Sequence, residues 1–130
     1  MSVDLMQPPS DEAVTRASSR FAEVALDRYG AALRGVYLFG SRARGDYAPF
    51  SDVDLAIVVD DAVDTSRETF PLSGYAYDIL VETGAEVQPW VFHRAEWERP
   101  EQSASPALVR SIKNDARAVS VQAFAGSAGG

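Results

Sequence analysis

Two aspartates one residue apart, Asp52 and Asp54, flank the start of the apolar run 53–59. Ten residues, 42 to 51, separate them from the pair Gly40–Ser41. Side chains alternate faces along a strand, so the two carboxylates point the same way. Val53, Leu55, Ile57 and Val59 then take the opposite face, and Ala56 and Val58 continue the aspartate side as apolar. Two like charges so placed repel each other, and a hard divalent cation between them relieves the repulsion. Mg²⁺ is commonly held by one or two carboxylates together with the phosphates of a substrate. Gly40, without a side chain, lets a phosphate approach the backbone closely. Ser41 adds a hydroxyl and an N–H, and a helical turn begun there would aim its free N–H groups at an anion. Arg42 and Arg44 match phosphate oxygens bidentately, with Asp46 or solvent as competing partners. A lone Asp-x-Asp or a lone Gly-Ser is ordinary turn chemistry. Joined at this spacing, they are parts of a metal-assisted phosphoryl or nucleotidyl transfer site.

Those residues need elements to hold them. Residues 1–9 read as a loose arm, and Ser10 or Asp11 can cap a helix. Val14, Ala17, Phe21, Val24 and Arg28 recur at helical spacing, and Gly30 ends the run. Residues 36–39, between Gly35 and Gly40, suit a buried strand, and 53–59 a second. Residues 41–45 suit one helical turn, 47–51 a loop around Pro49, and 65–69 at most a short helix. Residues 75–81 read as a third strand and 87–92 as a fourth, separated by Gly84. A polar stretch over 94–105 follows. Ser105-Pro106 opens a helix that buries Leu108, Val109 and Ile112 and ends near Asn114. Residues 116–121 suit an edge strand, and 123–130 a flexible tail. The expected unit is one domain over 10–122, an α/β or α+β sheet with helices packed on it. Trp90, Trp97, Tyr47 and Phe50 are expected to pack, and His93, the only histidine, to be a surface or packing residue.

Bulk composition sets limits on partners. The 130 residues carry a net charge of −7, which opposes duplex nucleic acid or an anionic membrane as a partner. With no cysteine there is no disulfide framework and no thiolate metal site. No apolar run approaches membrane-spanning length and no secretory leader is legible, so the cytoplasm is the expected location.

The stretch "GSRARGDYAPFSDVDL" resembles the signature of the DNA polymerase beta-like nucleotidyltransferase superfamily. Its wording is most similar to the minimal nucleotidyltransferases, the MNT-type antitoxins that accompany HEPN-domain toxins. The closing "SPALVRSIKNDARAV" resembles the last helix and strand of such domains. The resemblance implies a palm-like mixed sheet of about four to five strands. It implies ATP as substrate, with Mg²⁺, two ions, held by Asp52 and Asp54, and phosphates on Gly40 and Ser41. It also implies a third metal-binding and catalytic carboxylate on a neighbouring strand, for which Asp78 in "YAYDILVE" is the candidate and Glu82 the runner-up. The implied activity is AMP transfer to a hydroxyl, a tyrosine's, on a partner HEPN toxin, which makes the chain the antitoxin of a type VII-like pair. Alternatives are a small-molecule nucleotidyltransferase of aminoglycoside type and an inactive module that neutralises a toxin by binding.

Overall fold

The computed structural model describes residues 3–119. Ser10 caps the first helix, α1 (Asp11–Tyr29): the N–H of Ala13 donates to Ser10 Oγ at 3.0 Å. Asp11 and Glu12 sit in its first turn, where the helix dipole favours negative charge. A short 3-10 turn (Gly30–Ala32) leads into β1 (Leu33–Phe39), three residues longer than the predicted run at its start. One helical turn, α2 (Ser41–Arg44), and a loop lead to β2 (Val53–Val59), with the predicted bounds.

Residues 75–81 are not a strand. They lie within a helix, α3 (Thr69–Thr83), which buries Leu72, Ala76, Ile79 and Thr83 and ends on Gly84 at φ 83°. The reason is topological. The next strand, β3 (Val87–His93), runs parallel to β2, and a parallel pair needs a crossover element between its strands. The aromatic and apolar residues of "YAYDILV" suit a strand locally, but one helical face of them is needed to cover the sheet. Pro71 is tolerated because it lies in the first turn of α3.

The polar stretch after β3 is also more ordered than its composition suggests. It folds into α4 (Arg94–Glu98), which buries Trp97, and a 3-10 turn (Pro100–Gln102). His93 caps α4 reciprocally with Glu96, and its Nε2 lies 2.8 Å from the Val63 carbonyl. α5 (Pro106–Asp115) starts at the predicted Ser105-Pro106, but Leu108 is exposed while Val109 and Ile112 are buried. β4 (Arg117–Ala118) falls inside the predicted edge strand, whose last residues, like the tail 123–130, lie outside the described residues.

The sheet order is β3-β2-β1-β4, with β1 antiparallel to both β2 and β4. β2 is therefore central and buried on both faces. Val53, Leu55, Ile57 and Val59 meet α1 and α3 through Phe21, Ala25, Leu72 and Ile79. Ala56 and Val58 meet the second cluster, Phe92, Trp97, Val109 and Ile112, supplied by β3, α4 and α5. This is the alternation read from the sequence, and it fixes which face the aspartates occupy. At the open edge of β3, Pro89 removes one backbone donor.

Helix and strand make opposite demands on positions 77 and 79. In a strand the two would share a face. In α3, Ile79 is 2% exposed and Tyr77 64%. Ile79→Ala should cost about 2–4 kcal/mol and Tyr77→Ala less than about 0.5 kcal/mol in urea unfolding. Equal costs would contradict the helix.

Candidate functional site

β1 and β2 pair antiparallel with Phe39 opposite Asp54, so the turn that leaves β1 comes back against the start of β2. Gly40 lies at φ 76°, in the left-handed region. A Cβ built there would fall 2.6 Å from Asp54 Oδ2. Glycine is required at this position on both counts. The N–H groups of Ala43 and Arg44 are taken up by the Gly40 carbonyl, at 3.1 and 3.0 Å. Those of Ser41 and Arg42 head the turn, where helix geometry provides no internal acceptor. A backbone cradle and the carboxylate of Asp54 thus meet at one end of the central strand pair.

The loop between α2 and β2 is clipped in place. Arg42 is 7% exposed, and its guanidinium donates to the carbonyl oxygens of Pro49 and Ser51 at 3.1 Å each. It also lies 4.2 Å from the centre of the Tyr47 ring, whose hydroxyl donates to Asp11. Ser51 closes the loop further, accepting the N–H of Ala48 on its Oγ at 2.9 Å. The sequence offered Arg42 as a phosphate ligand, but the fold engages its fork with backbone, next to Asp52. Arg44 is half-exposed and pairs with Asp46 at 3.2 Å and with Asp115 of α5 at 2.8 Å. Tyr47 packs as expected, whereas Phe50 is 62% exposed.

Asp52 is exposed and Asp54 half-buried. Burial pushes the Asp54 carboxyl above its ordinary range. The side chain of Trp90 hydrogen-bonds the charged form and opposes this, the charge on Asp52 adds to the rise, and Arg44 draws it down. Trp90, expected in the core, is 40% exposed and stands edge-on to Phe39 at 6.2 Å, as a wall beside Asp54. Trp97 is the buried one, stacked on Tyr37 at 5.0 Å.

Asp78 does not reach the pair from a strand. It is exposed on α3, as is Glu82, which faces Arg20 at 3.6 Å. Among the described residues no three His, Cys, Asp or Glu side chains cluster tightly enough to enclose a metal, so neither completes a triad with Asp52 and Asp54. The strand on the other side of β2 from β1 is β3, which sets Gln88 opposite Asp54. Its register carries Glu86 to the level of Asp52, where the N–H of Val53 donates to the Glu86 carbonyl at 2.7 Å. The Glu86 carboxyl is raised, mainly by the charge on Asp52, then by burial and by a hydrogen bond shared with the Asp52 side chain. Glu86 was missed because misreading α3 as a strand placed the neighbouring strand too early. The available signal was its position, one residue before an apolar run, like Asp52 before Val53.

Asp52 and Asp54, with no ion pair to either among the described residues, leave a surplus of negative charge. A divalent cation fits such a donor set, and the Gly40 cradle leaves room for an anion beside it. The residues present therefore suit Mg²⁺ and a phosphate group.

Residues 18–119 match the nucleotidyltransferase domain family, and the chain belongs to it. It is a nucleotidyltransferase with the mixed sheet of the polymerase beta-like fold. A Methanocaldococcus jannaschii protein provisionally named a protein adenylyltransferase is 30% identical over 86 residues, 61% of this chain and 86% of that one. A toxin–antitoxin crystal structure with AMP-PNP aligns at TM-score 0.53 and 20% identity, covering 80% of this chain and 73% of its own. The MntA–HpeT toxin–antitoxin pair, in a variant with two aspartates changed to glutamate, aligns at TM-score 0.52 and 19% identity, covering 78% and 71%. No helix among the described residues is long and apolar enough to cross a membrane.

A raised carboxyl pKa means that the folded state binds protons more readily than the unfolded one. Asp54 therefore weakens the fold above its folded pKa, and the penalty vanishes as pH falls below the ordinary value of 3.8. In metal-free buffer Asp54→Asn should melt above the wild type at pH 7, and the gap should close towards pH 4. Adding Mg²⁺ at pH 7 should raise the wild-type melting temperature more than the variant's. A gap unchanged with pH would contradict the burial and repulsion assigned to Asp54.

Proposed function

We propose that the chain transfers AMP from ATP to a tyrosine hydroxyl of a partner HEPN-type toxin in the cytoplasm, and so acts as its antitoxin. The observation that carries the reading is the close approach of the Gly40 backbone to the Asp54 carboxylate, with Asp52 beside it. The adenylyltransferase name of the archaeal relative and the AMP-PNP in a similar toxin–antitoxin structure support it. So do the cavities that Glu86 lines, about 200 and 250 Å³. They are smaller than the ~300–1,000 Å³ usual for small-ligand pockets, which favours an acceptor that brings its own surface over an aminoglycoside-sized one.

Gly40 and Ser41 cradle the β- and γ-phosphates of ATP. Asp52 and Asp54 are the residues that would hold Mg²⁺, as one or two ions. Bound there, the metal neutralises phosphate charge and stabilises the entering and leaving oxygens. Arg42 keeps the loop, and with it Asp52, in position. Glu86 takes the place of Asp78 as the proton acceptor, because it immediately precedes β3, the strand parallel to β2, and stands level with Asp52. The acceptor oxygen attacks the α-phosphorus, the bond from that phosphorus to the α–β bridging oxygen breaks, and pyrophosphate leaves. The hydroxyl proton passes to Glu86, the carboxylate that stands level with Asp52 at the mouth of the site. Trp90 screens one side of the site from water.

The test is incubation with α-labelled ATP, Mg²⁺ and a purified HEPN-type toxin. Label should appear on a tyrosine of the partner. Asp52→Ala or Asp54→Ala should fold and lose transfer by about 10²-fold or more, and Glu86→Gln should lose a similar factor while still binding ATP. Full activity in either aspartate variant would refute the mechanism, and a tight unlabelled complex would mean neutralisation by binding alone.

A further inference from the structure

α3 turns an apolar stripe outward. Phe70, Tyr77 and Val81 are 89%, 64% and 51% exposed, and their spacing puts them on one helical face. The small residues Ser73 and Gly74 lie between them, so the face is flat. The inward face already covers the sheet with Leu72, Ala76 and Ile79, so the stripe takes no part in the core. Exposed apolar groups gathered in this way mark interaction sites.

The stripe also runs into the candidate site. Tyr77 and Leu80 line one cavity with Glu86 and Gln88. Leu80 and Glu86 line a second with Leu5 and the exposed Phe50 of the clipped loop. Glu86 borders both cavities and stands level with Asp52 in the β2–β3 register, so this surface leads from α3 to the mouth of the site.

Charge selects the occupant. Asp78 and Glu82 lie beside the stripe on the half of α3 nearer the site, and Glu86 follows. Among the described residues only Arg20 pairs with any of them, at 3.6 Å from Glu82. Glu82 is next to the last residue of the helix, where the dipole is already negative. A second copy of the chain would bring the same acids to the same face, against the overall charge of −7. A protein surface with an apolar centre and a rim of lysine or arginine would meet both features.

We propose that the outward face of α3, continuous with Phe50 and Leu5, is where the acceptor protein docks, through an apolar patch rimmed by basic residues. This rests on the reading of the chain as a transferase with a protein acceptor. Docking there brings an acceptor side chain to the Glu86 end of the site, on the flank away from α5.

The test uses full-length Tyr77→Arg and Val81→Arg, singly and together, with a purified HEPN-type toxin that the wild type labels or binds as probe. Both positions are exposed, so melting temperatures should match the wild type. The double variant should bind the probe at least tenfold more weakly by calorimetry. Its KM for the probe should rise by the same factor, with transfer at saturating probe unchanged. Equal binding by wild type and variants, or no binding by the wild type, would overturn the proposal. So would a wild-type dimer in sedimentation that the variants abolish. Binding that weakens in the variants without label on the probe would uphold the docking face and refute AMP transfer.

Discussion

Everything at this site depends on one close approach, that of the Gly40 backbone to the carboxylate of Asp54. It is possible because Phe39 and Asp54 are paired on adjacent antiparallel strands, so the turn after β1 and the start of β2 share one end of the sheet. A side chain at position 40 would occupy the space next to that carboxylate. The rest of the architecture maintains the approach. β2 is locked from both faces, α2 gathers two N–H groups onto the Gly40 carbonyl, and Arg42 holds the intervening loop to its carbonyls.

The site was legible in the sequence to the extent that it is local. The alternation of 52–59 fixes the face of the aspartates without knowledge of any other strand, since a period of two is set by the backbone itself. Ser10, Gly30 and Ser105-Pro106 likewise mark their helix ends by chemistry confined to a few residues. What was not legible is what depends on strand neighbours. Residues 75–81 have the composition of a strand, and only the parallel pairing of β2 with β3 requires a helix there. That one misreading made Asp78 look like a neighbour of the aspartates and concealed Glu86. Trp90 and Phe50 escaped for a related reason. Their types favour burial, while their exposure is decided by which edge of the sheet and which side of the loop they occupy.

Arg42 shows how residue type can be read correctly and its role differently. A guanidinium fork beside a phosphate cradle suits an anion, yet the same fork suits two converging carbonyls. Burial decides between them, because a desolvated guanidinium needs fixed acceptors and the loop supplies them. Arg44, two residues on and open to solvent, bridges the motif to α5 through Asp115. The two arginines therefore brace the motif from opposite sides, one through backbone and one through another element.

The hydrogen bonds of the Arg42 clip go to main-chain oxygens, those of residues 49 and 51, and make no demand on the side chain between them. Phe50 lies between those two anchors with its ring in solvent. Position 50 is thus a variable letter in a fixed frame. Across a lineage it can be rewritten to suit a changing counterpart while the carboxylates next door hold their places.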